Sequence, residues 1–331
     1  MSKADVVFAI LCAAATLYAT FGGADFGAGV WQLLAGREAP ERRERIDTRI
    51  AHSLGPVWEA NHVWLIFALV VLWTGFPDAF APIMQTLYLP LALAAVGIVL
   101  RGSGFAFGHV FSEVAGRRAN DVFAASSLIT PFFMGCVVGA IAGGDVEAGG
   151  SGSALGWIGP LPLLVGVLFV ASCTYVAAVF LLDDCRRAGD AELEPYFKRR
   201  AVGAAIVAGV LAVAGLIVLR IEARAVFDGL LGEGLPLLTA SACFGGATLL
   251  GLVRGWSRAL RPLAIGAFVT VIAGYAVAQY PYLLPETLTI DDAAGVEPTL
   301  TALIVVFFVF LAVVGPSLAL LFRLAQKQVL E

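Results

Sequence analysis

The sequence has few charged residues for its length. Only 14% of its 331 residues are charged and 60% are hydrophobic, whereas a soluble domain carries about 25% charged and 45–50% apolar residues. Many apolar runs reach the roughly 20 residues that a helix needs to cross a bilayer. Runs of this kind also exclude a transmembrane barrel, whose strands are short and alternate in polarity. We therefore predict an all-α polytopic membrane protein.

Residues that bind metals or form disulfides are equally scarce. None of the five cysteines belongs to a CxxC pair, so we interpret them as packing residues without a disulfide. The three histidines are His52, His62 and His109. His52 and His62 lie in one predicted helix and cannot clamp one haem iron, while His109 lies near a predicted loop. No phosphate loop or nucleophile motif is present. The sequence thus predicts no haem ligand and no metal site in this chain.

The distribution of basic residues predicts the topology. Nine apolar runs are candidate spans, at about 5–35, 50–75, 79–101, 121–143, 155–182, 201–220, 235–253, 259–281 and 299–322. With the N-terminus outside, only Lys3, Arg220 and Arg224 of the 21 basic residues fall on the outer side. This asymmetry predicts an outside N-terminus and a cytoplasmic C-terminus. No soluble segment interrupts the spans, so residues 1–331 are predicted to form a single transmembrane domain, with two bundles and a peripheral helix as an open alternative.

Four ionisable residues lie inside predicted spans, namely Asp25, Glu59, His62 and, near a helix end, Arg101. Such a group costs at least ~2.5–3.5 kcal/mol at bilayer depth, so each should face protein or water. Asp25 and Glu59 lie at similar depth in consecutive antiparallel spans, which could bring their carboxylates together. A close pair of carboxylates would form a protonatable relay. The alternative, that these groups only cap or cross-link helices, stays open.

The second predicted span carries a polar stripe. His52, Gly55, Glu59 and His62 are spaced so that they share one face of a continuous helix. This face should be turned away from lipid. Glu59 and His62 also have the i, i+3 spacing of helical metal sites, but one such pair does not make a site.

Four motifs occur in order along the chain. They are GGADFG at 22–27, GPVWEANHVWL at 55–65, YLP and LRG between 88 and 102, and YPYLLPETLTIDDAA at 280–294. In these motifs the sequence resembles subunit II of the cytochrome bd-type (quinol) terminal oxidases, and the resemblance covers nearly the whole chain. The family patterns are D-G-F-D-x-G, G-P-x-W-[DE]-x-N-x-x-W-L, Y-L-P with L-R-G, and F-P-x-x-x-P-x-x-L-T-I-x-D-A-A.

The resemblance implies a multi-pass chain of the bacterial or archaeal cytoplasmic (inner) membrane. Its partner would be a haem-bearing subunit I that holds haems b and d, in a heterodimer that oxidises quinol and reduces oxygen to water. This chain would be the non-haem-ligating subunit, contributing to assembly, to a cytoplasmic-side proton path and to an oxygen path. Small single-span subunits and a bound structural quinone or lipid could be present as well.

The resemblance also assigns roles to residues. Glu59 is the proton-path candidate, and Asp25 matches the second acid of the first-span motif. His62 follows the motif asparagine and could replace part of a relay, since histidine titrates near physiological pH. The remaining matched residues are assigned to the structure or to a gas path: Trp58, Asn61, Trp64 and Arg101.

The sequence departs from the family pattern at three places. Gly22 stands where the first-span motif has its first acid, and His62 stands where the family often has Gln or Glu. Ala106 and Gly108 replace an acid and an arginine that follow Arg101 in the family. Whether these departures alter the proton route or the partner stays open. Two alternatives stay open: a haem-free subunit of a divergent bd-like complex, and a proton-coupled secondary transporter that would act alone.

Overall fold

The structure, a computed structural model, describes residues 2–54, 58–107, 113–150, 152–256 and 258–326. The described residues form thirteen α-helices: α1 Lys3–Ala35, α2 Pro40–Leu54, α3 Trp58–Gly75, α4 Pro77–Thr86, α5 Tyr88–Phe107, α6 Glu113–Ala142, α7 Pro160–Arg187, α8 Leu193–Glu222, α9 Arg224–Leu231, α10 Leu235–Arg254, α11 Leu260–Gln279, α12 Ile290–Ala293 and α13 Glu297–Gln326. A 3₁₀ turn covers Gly156–Ile158, and the strands β1 (Tyr282–Leu284) and β2 (Leu288–Thr289) pair antiparallel. The predicted all-α class is confirmed.

Several helices could cross a membrane. Seven are long and apolar enough: α1, α7, α8, α10, α11, the Ala125–Ala142 part of α6 and the Glu297–Leu318 part of α13. A bent pair, Asn61–Gly75 with Pro77–Thr86, and a shorter apolar helix, Tyr88–Ser103, add to these. The described residues thus indicate a multi-pass membrane protein. The count of nine spans and the orientation of the termini stay predictions.

The predicted second span, 50–75, overlaps parts of two described helices, α2 and α3. Helix α2 ends at Leu54 and α3 begins at Trp58, with 55–57 outside the described residues. Helix α2 is rich in Arg and Glu, and its residue His52 is exposed. The predicted helical stripe from His52 to His62 includes Gly55 and the Glu59 side chain, which lie outside the described part of the chain, so the stripe stays a prediction.

The predicted third span, 79–101, is divided between two helices, α4 and α5. Helix α4 ends before Leu87 and α5 begins at Tyr88, while α3 and α4 are bent by 116° at Phe76. Pro77 occupies the first position of α4, where its missing N–H costs no helical hydrogen bond. The bend lies between the predicted second and third spans, whereas the break at Leu87 lies inside the predicted third span, between two apolar helices.

Helix α1 is the central element of the fold. Its first half packs with α3, α4 and the 283–300 segment in one apolar cluster, and its second half packs with α7, α8 and α11 in another. Gly27 permits the close approach to α7, because a Cβ atom there would overlap the backbone of Cys173. Helix α1 therefore links the two parts of the core and carries Asp25 within its buried second half.

Candidate functional site

A buried ion pair joins α1 to α5. Nε of Arg101 donates to Oδ2 of Asp25 at 2.9 Å, and Nη2 donates to Oδ1 at 2.6 Å. Nη2 also donates to the Asp25 backbone carbonyl at 2.8 Å. The exposed fractions of the Arg101 and Asp25 side chains are only 2% and 5%. This is the bidentate geometry that makes an arginine–carboxylate pair strong and directional.

The surroundings complete the hydrogen bonding of the guanidinium. Nη1 of Arg101 donates to Oγ of Ser127 on α6, and the guanidinium lies over the ring of Phe26 at 5.2 Å. A Cβ atom at Gly29 would overlap the Ser127 hydroxyl, so the glycine makes room for this contact. A buried charge is tolerated when it is paired and its remaining donors are satisfied. The site thus fixes three helices, α1, α5 and α6, around one ion pair.

Asn61 and Trp64 anchor α3 beside this site. Nδ2 of Asn61 donates to the backbone carbonyl of Phe21 on α1 at 3.3 Å. The ring of Trp64 meets the edge of Phe310 on α13, with centroids 5.4 Å apart. Asn61 and Trp64 are both buried. Each of them therefore joins α3 to a neighbouring helix.

His62 lies against an aromatic residue of α1. Its ring centroid is 6.1 Å from that of Tyr18, in an edge-on arrangement, and Tyr18 is 6.5 Å from Phe26. A Cβ atom at Gly22 would lie 3.1 Å from the Tyr18 ring. Tyr18 therefore packs over the position at which the family motif has its first acid. The ring of Tyr18 occupies space that a longer side chain at Gly22 would need.

The sequence matches a known family along almost its full length. The family model "Cytochrome bd terminal oxidase subunit II" matches residues 3–325. The chain belongs to this family.

Named relatives agree with the family assignment. Over 114 residues the chain is 32% identical to "Cytochrome bd ubiquinol oxidase subunit 2" of Bacillus subtilis (strain 168), covering 34% of this chain and 32% of that protein. Over 173 residues it is 27% identical to "Cytochrome bd-I ubiquinol oxidase subunit 2" of Escherichia coli (strain K12), covering 50% and 44%. These two alignments thus span less than half of either relative.

A solved structure shares the fold over the whole chain. It is described as "The structure of bd oxidase from Geobacillus thermodenitrificans" and has a TM-score of 0.79 at 28% identity. The match covers 98% of this chain and 98% of the other. The agreement in fold therefore extends well beyond the segments aligned with the two curated relatives.

Several predicted site residues lie outside the described part of the chain. Helix α3 includes Trp58 and Glu59, but their side chains lie outside the part of the chain that the structure describes. The Ala106 side chain and the whole of Gly108 lie outside it as well. The predicted approach of the Asp25 and Glu59 carboxylates therefore stays a prediction. The backbone does place the two elements together, because Asn61 on α3 contacts Phe21 on α1.

The described histidines do not form a ligand pair for haem. His52 is exposed on α2, whereas His62 lies on α3 beside Tyr18, and His109 lies outside the described residues. Within the described ranges no group of three or more His, Cys, Asp or Glu side chains could hold a metal ion. That this chain ligates no haem stays a prediction.

Two residues of the site were not predicted from the sequence. Ser127 accepts a hydrogen bond from Arg101, and Tyr18 covers Gly22 and His62. Both are polar residues within apolar runs, which is a weak signal because serine and tyrosine are common in membrane helices. Tyr18 lies four residues before Gly22, on the same face of a helix. That spacing is the one feature that could have identified it.

Proposed function

We propose that this chain is subunit II of a bd-type respiratory terminal oxidase, a quinol:oxygen oxidoreductase of the cytoplasmic membrane. The observation that carries the proposal is the family match over residues 3–325, together with a fold shared over 98% of a bd oxidase chain. In this proposal the chain pairs with a haem-bearing subunit I, and small single-span subunits complete some complexes. The partner holds haems b and d, while this chain ligates none.

The Asp25–Arg101 pair is proposed to hold the subunit together. A proton that reached Asp25 would break at least one hydrogen bond from Arg101 and leave a buried guanidinium without its counter-ion. That outcome is costly in an apolar interior. Asp25 is therefore better suited to orient α1 and α5 than to pass protons at each turnover.

Glu59 is proposed to carry protons from the cytoplasmic side. It lies on α3 two residues before Asn61, whose amide contacts Phe21 on α1. The backbone of α3 at Glu59 is thus held against the helix that carries Asp25. His62, one turn further along α3 and beside Tyr18, is proposed to extend this path in place of the missing family acids. Trp58 and Trp64 are proposed to line a gas path.

The first experiment tests the complex itself. The chain is purified by affinity from gently solubilised native membranes, and the co-purifying chains and the dithionite-reduced minus oxidised spectrum are recorded. We expect one large membrane subunit with b-type and d-type haem bands. Isolation of a haem-free chain alone, in good yield, would contradict the proposal and favour a transporter. A haem-bearing partner without the d-type band would indicate a divergent complex.

The second experiment tests the proton path. Glu59→Gln keeps the size of the side chain but removes its proton-carrying group, so quinol-driven oxygen uptake should fall by roughly 10²-fold, as when a positioned proton-transfer group is lost. The purified complex and its haem bands should persist. Asp78→Asn, an exposed acid in the first turn of α4, is the matched control and should leave uptake unchanged. Loss of the whole complex in Glu59→Gln would instead favour a structural role.

A further inference from the structure

A second polar site lies away from the Asp25–Arg101 pair. A pocket of about 390 Å³ is lined by Asp183, Arg186 and Arg187 in the last turns of α7 and by Arg258 just before α11. Its volume lies in the range of about 300–1,000 Å³ that is usual for small-molecule sites. Three of its four lining residues are arginines. This composition indicates an anionic ligand.

The acids near this pocket are already paired. Oδ2 of Asp183 forms ion pairs with Nη2 of Arg187, at 2.9 Å, and with Nε of Arg261, at 2.7 Å. Arg186 pairs with Glu194 at 2.8 Å. Arg258 is exposed and forms no ion pair within the described part of the chain. The pocket therefore keeps an excess of positive charge that the described residues do not neutralise.

The pocket lies beside an aromatic residue at the end of an apolar helix. Nη1 of Arg186 donates to the backbone carbonyl of Trp256, which follows the end of α10 and is 40% exposed. Tryptophan is enriched where membrane helices meet the lipid headgroups. One and two turns deeper on α10, Val253 and Leu250 are 64% and 42% exposed. Apolar surface for an acyl chain thus continues from the basic pocket.

We propose that this pocket binds the phosphate headgroup of an anionic membrane phospholipid. Arg258 and Arg187 hold the phosphate, Arg186 keeps the pocket open through its bonds to Glu194 and Trp256, and the acyl chains follow α10. Basic pockets between helices on the cytoplasmic side recognise such headgroups. A lipid is favoured over a soluble phosphate because the apolar surface and the arginines lie side by side. The site is independent of the proposed oxidase activity.

The test uses the complex as purified from native membranes. It is placed in nanodiscs of phosphatidylcholine with phosphatidylglycerol, released under delipidating conditions, and the retained phosphatidylglycerol per complex is measured by native mass spectrometry. Arg258→Gln should lower the retention about fivefold, and the Arg187→Gln, Arg258→Gln double variant should lower it further, at about 1 kcal/mol per basic residue near the surface. Arg258→Lys should restore most of it.

Three controls keep the proposal falsifiable. Arg199→Gln removes an exposed arginine from α8 outside this pocket and should leave the retention unchanged. Arg258→Gln should melt like the wild type in detergent without phosphatidylglycerol, which separates lost binding from lost folding. Added inorganic phosphate should not displace the lipid. Equal retention by wild type and double variant would overturn the site, and displacement by inorganic phosphate would overturn its assignment to a lipid.

Discussion

The buried Asp25–Arg101 pair and the exposed Arg45–Glu192 pair differ mainly in burial. In the Asp25–Arg101 pair the side chains are 5% and 2% exposed, whereas in the Arg45–Glu192 pair they are 46–47% exposed. The same chemistry therefore has different consequences. Loss of one buried partner leaves an uncompensated charge in an apolar core, while loss of one exposed partner leaves a charge that water can solvate.

The exposed pair belongs to a network that holds α2 against the bundle. Arg45 and Arg49 of α2 both reach Asp190 in the α7–α8 connection, at 3.0 and 3.3 Å. Arg200 of α8 lies 3.3 Å from the ring centroid of Tyr196 and pairs with Glu38, at 3.0 Å, in the α1–α2 connection. Several weak contacts thus replace the single strong one found in the core. A single substitution in this network should therefore lower the stability of the fold only slightly. A single substitution in the buried pair should lower it strongly.

The largest loss of stability is expected from substitutions in the buried Asp25–Arg101 pair. Arg101→Gln leaves the Asp25 carboxylate without its counter-ion, and Asp25→Asn leaves the Arg101 guanidinium uncompensated. Each should destabilise the subunit by about 3–5 kcal/mol, the usual cost of breaking a buried ion pair. The measurement is the yield of the detergent-purified complex and its thermal unfolding midpoint.

A double replacement distinguishes charge imbalance from lost packing. Exchanging both partners for apolar residues, Asp25→Leu with Arg101→Met, removes both charges and should recover a large part of the lost stability. Arg224→Gln is the control, since that arginine is 83% exposed and pairs loosely with Asp228 at 3.8 Å. If either single variant at the buried pair were as stable as this control, the role assigned to the pair would be refuted.

The contrast also shows what the sequence could predict. Apolar runs and motif spacing predicted the helical membrane fold, the family, and that Asp25 and Arg101 each face protein or water rather than lipid. Their pairing was not predicted, because it depends on how α1 and α5 pack, and the two residues are 76 positions apart. A sequence pattern indicates which face of a single helix a residue lies on. Which residue it pairs with depends on how two helices pack together.

The division of the predicted third span was missed for a different reason. Hydropathy measures transfer into lipid and is insensitive to a helix break between two apolar segments, such as the break at Leu87 between α4 and α5. The 116° bend between α3 and α4, at Phe76, lies instead between the predicted second and third spans. Pro77 marks the start of α4, since proline begins helices readily.

An intermediate and pH-dependent effect is expected at Asp190. Burial alone would raise the pKa of Asp190, but the N–H of Leu193 and the guanidinium groups of Arg49 and Arg45 outweigh it and lower this pKa below its usual value. A carboxylate with a lowered pKa in the folded state stabilises the fold above its unfolded pKa, and this contribution is lost as pH falls through the folded pKa. Asp190→Asn should therefore cost up to about 1 kcal/mol near neutral pH.

The measurement at Asp190 is a difference between two melting curves as a function of pH. The wild type should unfold at a higher temperature than Asp190→Asn at neutral pH, and the gap should close in acid. Asp228→Asn, in an exposed pair, serves as the control for general acid destabilisation. A gap that stayed constant or widened in acid would show that the loss is due to altered packing rather than to the charge.

The smallest effect is expected at Glu192. This residue accepts from Arg45 and lies 3.8 Å from Arg42, yet both arginines remain solvated after its removal. Glu192→Gln should cost less than about 0.5 kcal/mol, because exposed ion pairs are weakened by water and by side-chain entropy. Even this difference should disappear at high salt, where the Debye length falls to about 3 Å at 1 M. Thermal unfolding at low and high salt is the measurement. A loss comparable to that of Arg101→Gln, or one that salt does not reduce, would mean that the α2 network is structurally as critical as the buried pair.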